Sequence, residues 1–257
     1  MTLTLPPRST KPRTRGLTSM IDFGPDTFGW TGAPEGIRNL LAACADYIDF
    51  AKIYALNALL MPRDTVKAAA RTYRDFGVTP FAGGILFEYA WQKNDLDGLE
   101  TLLVELDIGG LEISENYIAL TPTERARAIE RFQKRGIYIK YEFGRKNPTL
   151  PLALDELGAV VAAVGQQGID HVIVEQSDFD MLVAARADAI PTLKAQPWFD
   201  RLIIEADPYR FPQQHVELIG TFGNEVNLAN ITPGQVLRLE GFRRGIGRAV
   251  NYSIIER

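Results

Sequence analysis

Charged side chains recur at one kind of place in this chain, within or at the end of short apolar runs: Asp22, Lys52, Glu112, Lys140, Glu142, Glu175 and Glu205. Carboxylates and ammonium groups drawn together are the equipment of general acid–base chemistry and of hard-cation binding. Several carboxylates held close cannot all stay ionised unless lysines or a metal compensate them. A divalent cation such as Mg2+ prefers oxygen ligands and suits Glu112, Glu142, Glu175 and Glu205. Zinc does not fit, because one cysteine (Cys44) and two scattered histidines (His171 and His215) cannot build its usual site. Asp22, Lys52 and Lys140 are the candidates for proton transfer or nucleophilic work.

The elements that must position these groups are read from periodicity. Apolar runs at 17–22, 47–52, 78–82, 111–115, 137–142, 171–175, 202–205 and 226–228 have the length and composition of buried strands. Amphipathic stretches with helix signals separate them. Thr121-Pro122-Thr123-Glu124 is a capping box with proline at the first helical position, and Thr232-Pro233 opens the last large helix in the same way. Strands alternating with helices, without a break in composition, predict parallel pairing and closure into a single-domain (β/α)8 TIM barrel over 16–257; a doubly wound open sheet is the alternative. In a barrel all strand ends share the catalytic face. Parity places Lys140 with Glu142, Ile173 with Glu175 and Ile203 with Glu205, so isoleucines filling a barrel layer would leave the glutamates in the mouth. His171 begins its strand and reads as structural.

Weaker signals remain. Gly83-Gly84 before a helix could bring backbone N–H groups to an anion. Asn227 and Asn230, read as following the last strand, and the Arg243-Arg244 pair are further candidates for substrate contact. The stretch 24–36, with Phe28 and Trp30, reads as a long first loop, either a lid or an insertion. Residues 1–15, with Arg8, Lys11, Arg13, Arg15 and three prolines, read as a mobile arm. The chain of 257 residues has a net charge of −4, which gives no electrostatic footprint for nucleic acid or an anionic membrane. A lone cysteine fits a reducing, cytoplasmic setting, and no apolar run is long enough to span a bilayer. No Ser-His-Asp triad, Walker loop or dinucleotide fingerprint is visible. The expected partner is a small carboxylate-bearing substrate; a homo-oligomer is left open.

The chain resembles the phosphosulfolactate synthase family. The likeness is carried by Lys11-Pro12-Arg13, Gly16-Leu17-Thr18, Asp22, Asp46 to Lys52, Gly83-Gly84 with Leu86-Phe87-Glu88, and Glu112-Ile113-Ser114. It continues through Glu142-Phe143-Gly144-Arg145-Lys146, Glu175, Glu205-Ala206, Val226 to Ile231, Leu239-Glu240 and Arg243-Arg244-Gly245. A plant heat-stress-associated protein belongs to the same broad group. The resemblance implies a (β/α)8 barrel that adds sulfite to phosphoenolpyruvate, with Mg2+ holding an enolate-like intermediate. It also implies that Lys146 is the proton donor and that Ser114 belongs to the substrate site.

The chain also departs from the family pattern. Asp22-Phe23-Gly24 stands where the family has Asp-Lys-Gly, and Lys52-Ile53-Tyr54-Ala55 replaces a Lys-x-Gly-Trp-Gly-Thr turn. Ser114-Glu115-Asn116 replaces Ser-Asp-Gly, Ser177-Asp178-Phe179-Asp180 replaces Arg-Glu-Ser-Gly, and Gly247-Arg248-Ala249-Val250 replaces Arg-Gly-Asp-Thr. Each charge-assisted bond lost is worth about 1.5–3 kcal/mol, so the loops are poorer hosts for a highly charged substrate. The expectation is a divergent lyase doing enolate chemistry on a carboxylate-bearing substrate. Its rivals are authentic sulfite addition to phosphoenolpyruvate, a Schiff-base aldolase or decarboxylase using Lys52 or Lys140, and a non-catalytic stress or interaction protein on the same barrel.

Overall fold

The computed structural model describes residues 3–25 and 34–255. Its strands are β1 (Thr18–Asp22), β2 (Phe50–Ile53), β3 (Thr79–Ala82), β4 (Gly110–Ser114), β5 (Tyr138–Phe143), β6 (Val172–Val174), β7 (Leu202–Glu205) and β8 (Leu228–Ile231). They pair in parallel, each with its neighbour in sequence, and β1 closes on β8. The chain therefore forms the expected TIM barrel. The helices that cover it include α1 (Glu35–Cys44), α2 (Asn57–Leu60), α3 (Arg63–Asp75), α4 (Gly84–Gln92), α5 (Leu96–Glu105) and α6 (Pro122–Gln133). After these come α7 (Leu154–Gln166), α8 (Gln176–Ala185), α9 (Ala189–Lys194), α10 (Gln213–Phe222) and α11 (Val236–Arg243). No helix among the described residues is long and apolar enough to cross a membrane.

Local chemistry accounts for the boundaries. Thr121 accepts from the Glu124 N–H while Glu124 accepts from the Thr121 N–H, completing the capping box that starts α6. Thr232 opens a 3-10 turn, Pro233–Gln235, from which α11 continues. Two strands are displaced from their sequence reading: β2 begins only at Phe50, after a 3-10 turn over Ala45–Tyr47, and β8 is shifted as well. β8 begins at Leu228, so Asn227 precedes it; its side chain accepts from the Leu17 N–H and donates to the carbonyls of Asp200 and Leu202. Those bonds imitate strand pairing, which is why an apolar–polar–apolar triplet there looks like strand.

Two apolar layers hold the fold. The larger lies between strands and helices; the smaller fills the barrel, where Leu17, Ile173, Ile203 and Ala229 cluster with Phe50 against them. Ile173 and Ile203 thus occupy the layer that parity assigned to them, with the glutamates two residues further on.

The arm is the chief departure. Residues 3–15 are strapped across the N-terminal face of the barrel rather than mobile. Arg8, with a side chain only 2% exposed, pairs with Glu225 and Glu240, and Lys11 donates to the carbonyls of Ala45 and Gly77. Arg13 pairs with Asp49, the carbonyl of Thr14 meets His171, and the Pro6 carbonyl accepts from Arg244. A run rich in arginine and proline with no apolar periodicity reads as loose, yet each cation finds a carboxylate or carbonyl at the barrel floor. Of the loop at 24–36, residues 26–33, Phe28 and Trp30 included, lie outside the described residues.

Candidate active site at the barrel mouth

Strand ends bring the carboxylates together. Glu142, near the end of β5, Glu175, one residue past β6, and Glu205, last in β7, are all buried, and each offers an oxygen within 4.8 Å of the others. Such a buried acidic triad can hold a metal. Neighbours fix its members: the Asn116 amide donates to Glu142 at 3.2 Å, and Glu175 caps α8 by accepting from the Ser177 N–H at 3.1 Å. Asn230, the residue of β8 with left-handed backbone (φ 59), sets its side-chain amide against Glu205.

Two lysines balance the charge. Lys52 of β2 is buried and lies 2.9 Å from Glu205 Oε1 and 3.0 Å from Glu112 Oε2. Burial alone would lower its pKa, but Glu112, Glu205 and Glu142 outweigh that and hold it well above its usual value. Lys52 is a fixed cation, not a neutral amine. Lys146 reaches in from the loop after β5: its ammonium is 2.9 Å from Glu175 and 3.5 Å from both Glu142 and Glu205. Burial pushes it down, and Glu205, Glu142 and Glu175 together push it further up.

The carboxylates respond unequally. Burial, then the charges of Glu205 and Glu112, drive Glu142 well above the usual carboxylate range. Burial and Glu205 raise Glu175 as well. Glu205 moves the other way: burial disfavours its charge, but Lys52 and Lys146 together hold it ionised. Four acids, Glu112, Glu142, Glu175 and Glu205, thus face two ammonium groups. The raised Glu142 and Glu175 mark a nest short of positive charge, which a bound cation would relieve.

Around this nest the backbone comes unusually close. The Gly84 N–H, first in α4, donates to Glu112 Oε1 at 2.8 Å, so this helix start serves a side chain rather than an open anion site. A Cβ on Gly84 would fall 2.2 Å from the Ser114 hydroxyl, and only glycine fits. On Gly83 it would meet the Ile53 carbonyl at 3.2 Å. Gly144 has φ 124, and a Cβ there would meet the Glu175 Cβ at 2.7 Å, so glycine lets the Lys146 loop lie down over α8. The Ser114 hydroxyl donates to Glu88 of α4, which also accepts from the N–H groups of Asn116 and Tyr117 at 2.8 Å. Glu88 and Asn116 were not anticipated as site supports; no periodicity marks them, since their partners lie across a loop.

Several candidates sit elsewhere. Asp22 shares the outward face of β1 with Met20, accepts from the Tyr73 hydroxyl of α3 at 2.8 Å and caps the Gly24 N–H. It joins barrel to helix layer; burial raises its pKa. Lys140 does share a face with Glu142, but its ammonium lies 3.3 Å from the centre of the Phe50 ring in the apolar layer, fully buried and without a hydrogen-bond partner. Sealed from the mouth and unpaired, it has its pKa lowered by burial to about 7. Glu112 is taken by Lys52 and Gly84 and falls outside the metal-capable triad. Asn227, Arg243 and Arg244 are at the opposite face. Arg243 donates to the carbonyls of Asn224 and Val226, and Arg244 pairs with Glu240. The reason is topological: residues after a barrel helix return to the floor, away from the strand ends. Phe179 packs with Phe222 of α10 in the helix layer. Phe23 and Tyr54, after β1 and β2, form an edge-to-face pair at 4.7 Å.

Fold and site together define a class: a TIM-barrel enzyme with a buried, metal-capable acidic nest and two lysines at its C-terminal face. Comparison with known proteins narrows it. The family model for (2R)-phospho-3-sulfolactate synthase (ComA) matches residues 6–248. A phosphosulfolactate synthase of Methanocaldococcus jannaschii is 32% identical over 90% of this chain and 92% of its own. One from Methanothermobacter thermautotrophicus is 33% identical over 94% and 93%. Among solved structures, a phosphoenolpyruvate phosphomutase from Streptomyces platensis subsp. rosaceus superposes with a TM-score of 0.50 at 13% identity, covering 86% of this chain and 77% of its own, a likeness of fold alone. The chain belongs to the phosphosulfolactate synthase family and is an enzyme of that lyase class.

Proposed function

We propose that this enzyme performs carbon-acid chemistry on a small carboxylate-bearing substrate, with Mg2+ held by Glu142, Glu175 and Glu205. The observation that carries this reading is the nest itself: three buried carboxylates with a shared centre and a charge deficit. Its fit to a hard cation rests on an all-oxygen donor set and on Glu205 Oε2, a buried oxygen from which the Lys146 ammonium stands off at 3.5 Å. Such a cation, when bound, supplies positive charge against the enolate form of the substrate carboxylate. The remaining work belongs to the chain. Lys52, fixed between Glu112 and Glu205, keeps Glu205 ionised and contributes a permanent positive charge. Lys146, at the solvent side of the nest, carries the proton that the carbon next to the substrate carboxylate takes up as the enolate collapses. Asn116 and Asn230 hold the carboxylates in place, and the Glu88 bonds to the β4 loop hold Ser114 and Asn116.

Schiff-base chemistry finds no support, since Lys52 is locked as an ammonium and Lys140 is sealed beneath the mouth. Sulfite addition to phosphoenolpyruvate is the second reading, favoured by near full-length kinship with named phosphosulfolactate synthases. Against it stands the Phe23–Tyr54 pair, aromatic surface where the family pattern places cationic or small residues. A steady-state assay with both substrates and Mg2+ separates the two. The altered-substrate reading expects addition to be absent or very slow; robust phosphosulfolactate formation would overturn it in favour of the second.

A further inference from the structure

Lys146 occupies the point toward which the three carboxylates converge. Its ammonium is 2.9 Å from Glu175 Oε1, 3.5 Å from Glu142 Oε1 and 3.5 Å from Glu205 Oε2. These are the residues that offer oxygens within 4.8 Å of one another. A small divalent cation holds its oxygens at roughly 2.0–2.1 Å, nearer than any of these contacts, so ion and ammonium would stand almost atom on atom. Like charges so close in a buried nest exclude each other. We propose that Lys146 and a divalent cation are alternative occupants of one nest: the lysine is a tethered counter-ion that the entering cation ejects toward the substrate. The inference rests on the metal-assisted reading above.

The two lysines differ in a way that selects which one leaves. Lys52 has a side chain 8% exposed, sits on a strand and is held from below by Glu112 and Glu205. Lys146 is 29% exposed, sits on a loop and closes the nest from the solvent side. Its loop turns at Gly144, and beyond it opens a cavity of about 410 Å³ bordered by Arg145, Pro148 and Leu150, which gives the segment room to shift. Ejection moves the ammonium outward, where a bound carboxylate substrate would lie. The proton donor then takes its working position only in the loaded enzyme, and the nest is never left with its carboxylates uncompensated.

Calorimetric titration of the whole protein with Mn2+ alone tests this in wild type, Lys146→Met and Arg145→Met. The last removes a neighbouring charge outside the nest. Competition predicts that Lys146→Met binds Mn2+ at least about tenfold more tightly than wild type, while Arg145→Met changes affinity by less than about threefold. Metal-free Lys146→Met should melt below wild type, and saturating Mn2+ should raise its Tm more than it raises that of wild type. Binding by Lys146→Met but not by wild type is the extreme form of the same result. Equal or weaker binding by Lys146→Met overturns the competition and leaves the metal reading standing. Absence of binding in all three proteins overturns both. Lys146→Gln replaces the methionine variant should that one fail to fold.

Discussion

Lys140 and Lys146 show how far position within a strand decides the fate of a lysine. Both were candidates, and both lie within four residues of Glu142. Lys140 is two positions below it and is swallowed by the apolar layer over Phe50; Lys146 is four beyond it and bends back over the mouth. Parity gives the face of the barrel but not the depth, which depends on how high each strand starts. Lys146→Ala is expected to lower kcat by about 10²–10⁴-fold once a substrate is in hand, the usual worth of a positioned acid. A raised KM with unchanged kcat would instead mark it as a binding group. His215 of α10 makes a different prediction. It is fully buried against the edge of Phe211, and neither ring nitrogen has a hydrogen-bond partner. Burial lowers its pKa from 6.5 to about 4, helped by Arg243 and opposed by Asp207. The ring takes a proton less readily folded than unfolded, so its neutral form is fully compatible with the fold above pH 6.5. Stability then falls as pH drops toward 4, by on the order of 3 kcal/mol. Urea unfolding at pH 7 and pH 4.5 should show this loss in wild type and a smaller one in His215→Phe; identical losses would remove the histidine from the account.

At the scale of elements, the strands and most helices were legible because buried parallel strands are short continuous apolar runs between helix caps. The capping box of α6 needed only its own residues, so it appeared as expected. What failed depended on partners distant in sequence. The run 226–228 reads as strand, yet Asn227 precedes β8 and bonds through its side chain to Leu17 and Leu202. The arm reads as loose because the acids that pin it, Asp49, Glu225 and Glu240, lie far along the chain. Breaking a buried ion pair by removing one partner leaves an uncompensated charge, which typically costs roughly 3–5 kcal/mol. Arg8→Met is therefore expected to lower unfolding stability by that order while leaving the mouth chemistry intact. Chemical denaturation reads the first effect, and metal titration reads the second. A loss below about 0.5 kcal/mol would mean the strap is ornamental.

At the scale of the whole molecule, the barrel divides the labour between its two ends. The floor is closed by the arm, Asn227 and Arg243; the mouth gathers the acids from β4 to β7 around lysines from β2 and the β5 loop. That division explains which site residues the sequence could reveal. Residues ending strands reach the mouth by topology alone, as Glu142, Glu175 and Glu205 do, whereas Arg243 and Arg244 follow a helix and return to the floor. Asp22 ends a strand but faces outward, a matter of one residue in register. The central claim is that the three-glutamate nest is a cation site shared in turn with Lys146. Crystals soaked in Mn2+ and measured at an energy that gives anomalous signal from manganese test it most directly. The account predicts one strong peak among the oxygens of Glu142, Glu175 and Glu205, with the Lys146 ammonium swung out of the nest. No peak there at saturating Mn2+, with Lys146 still bonded to Glu175, would contradict it.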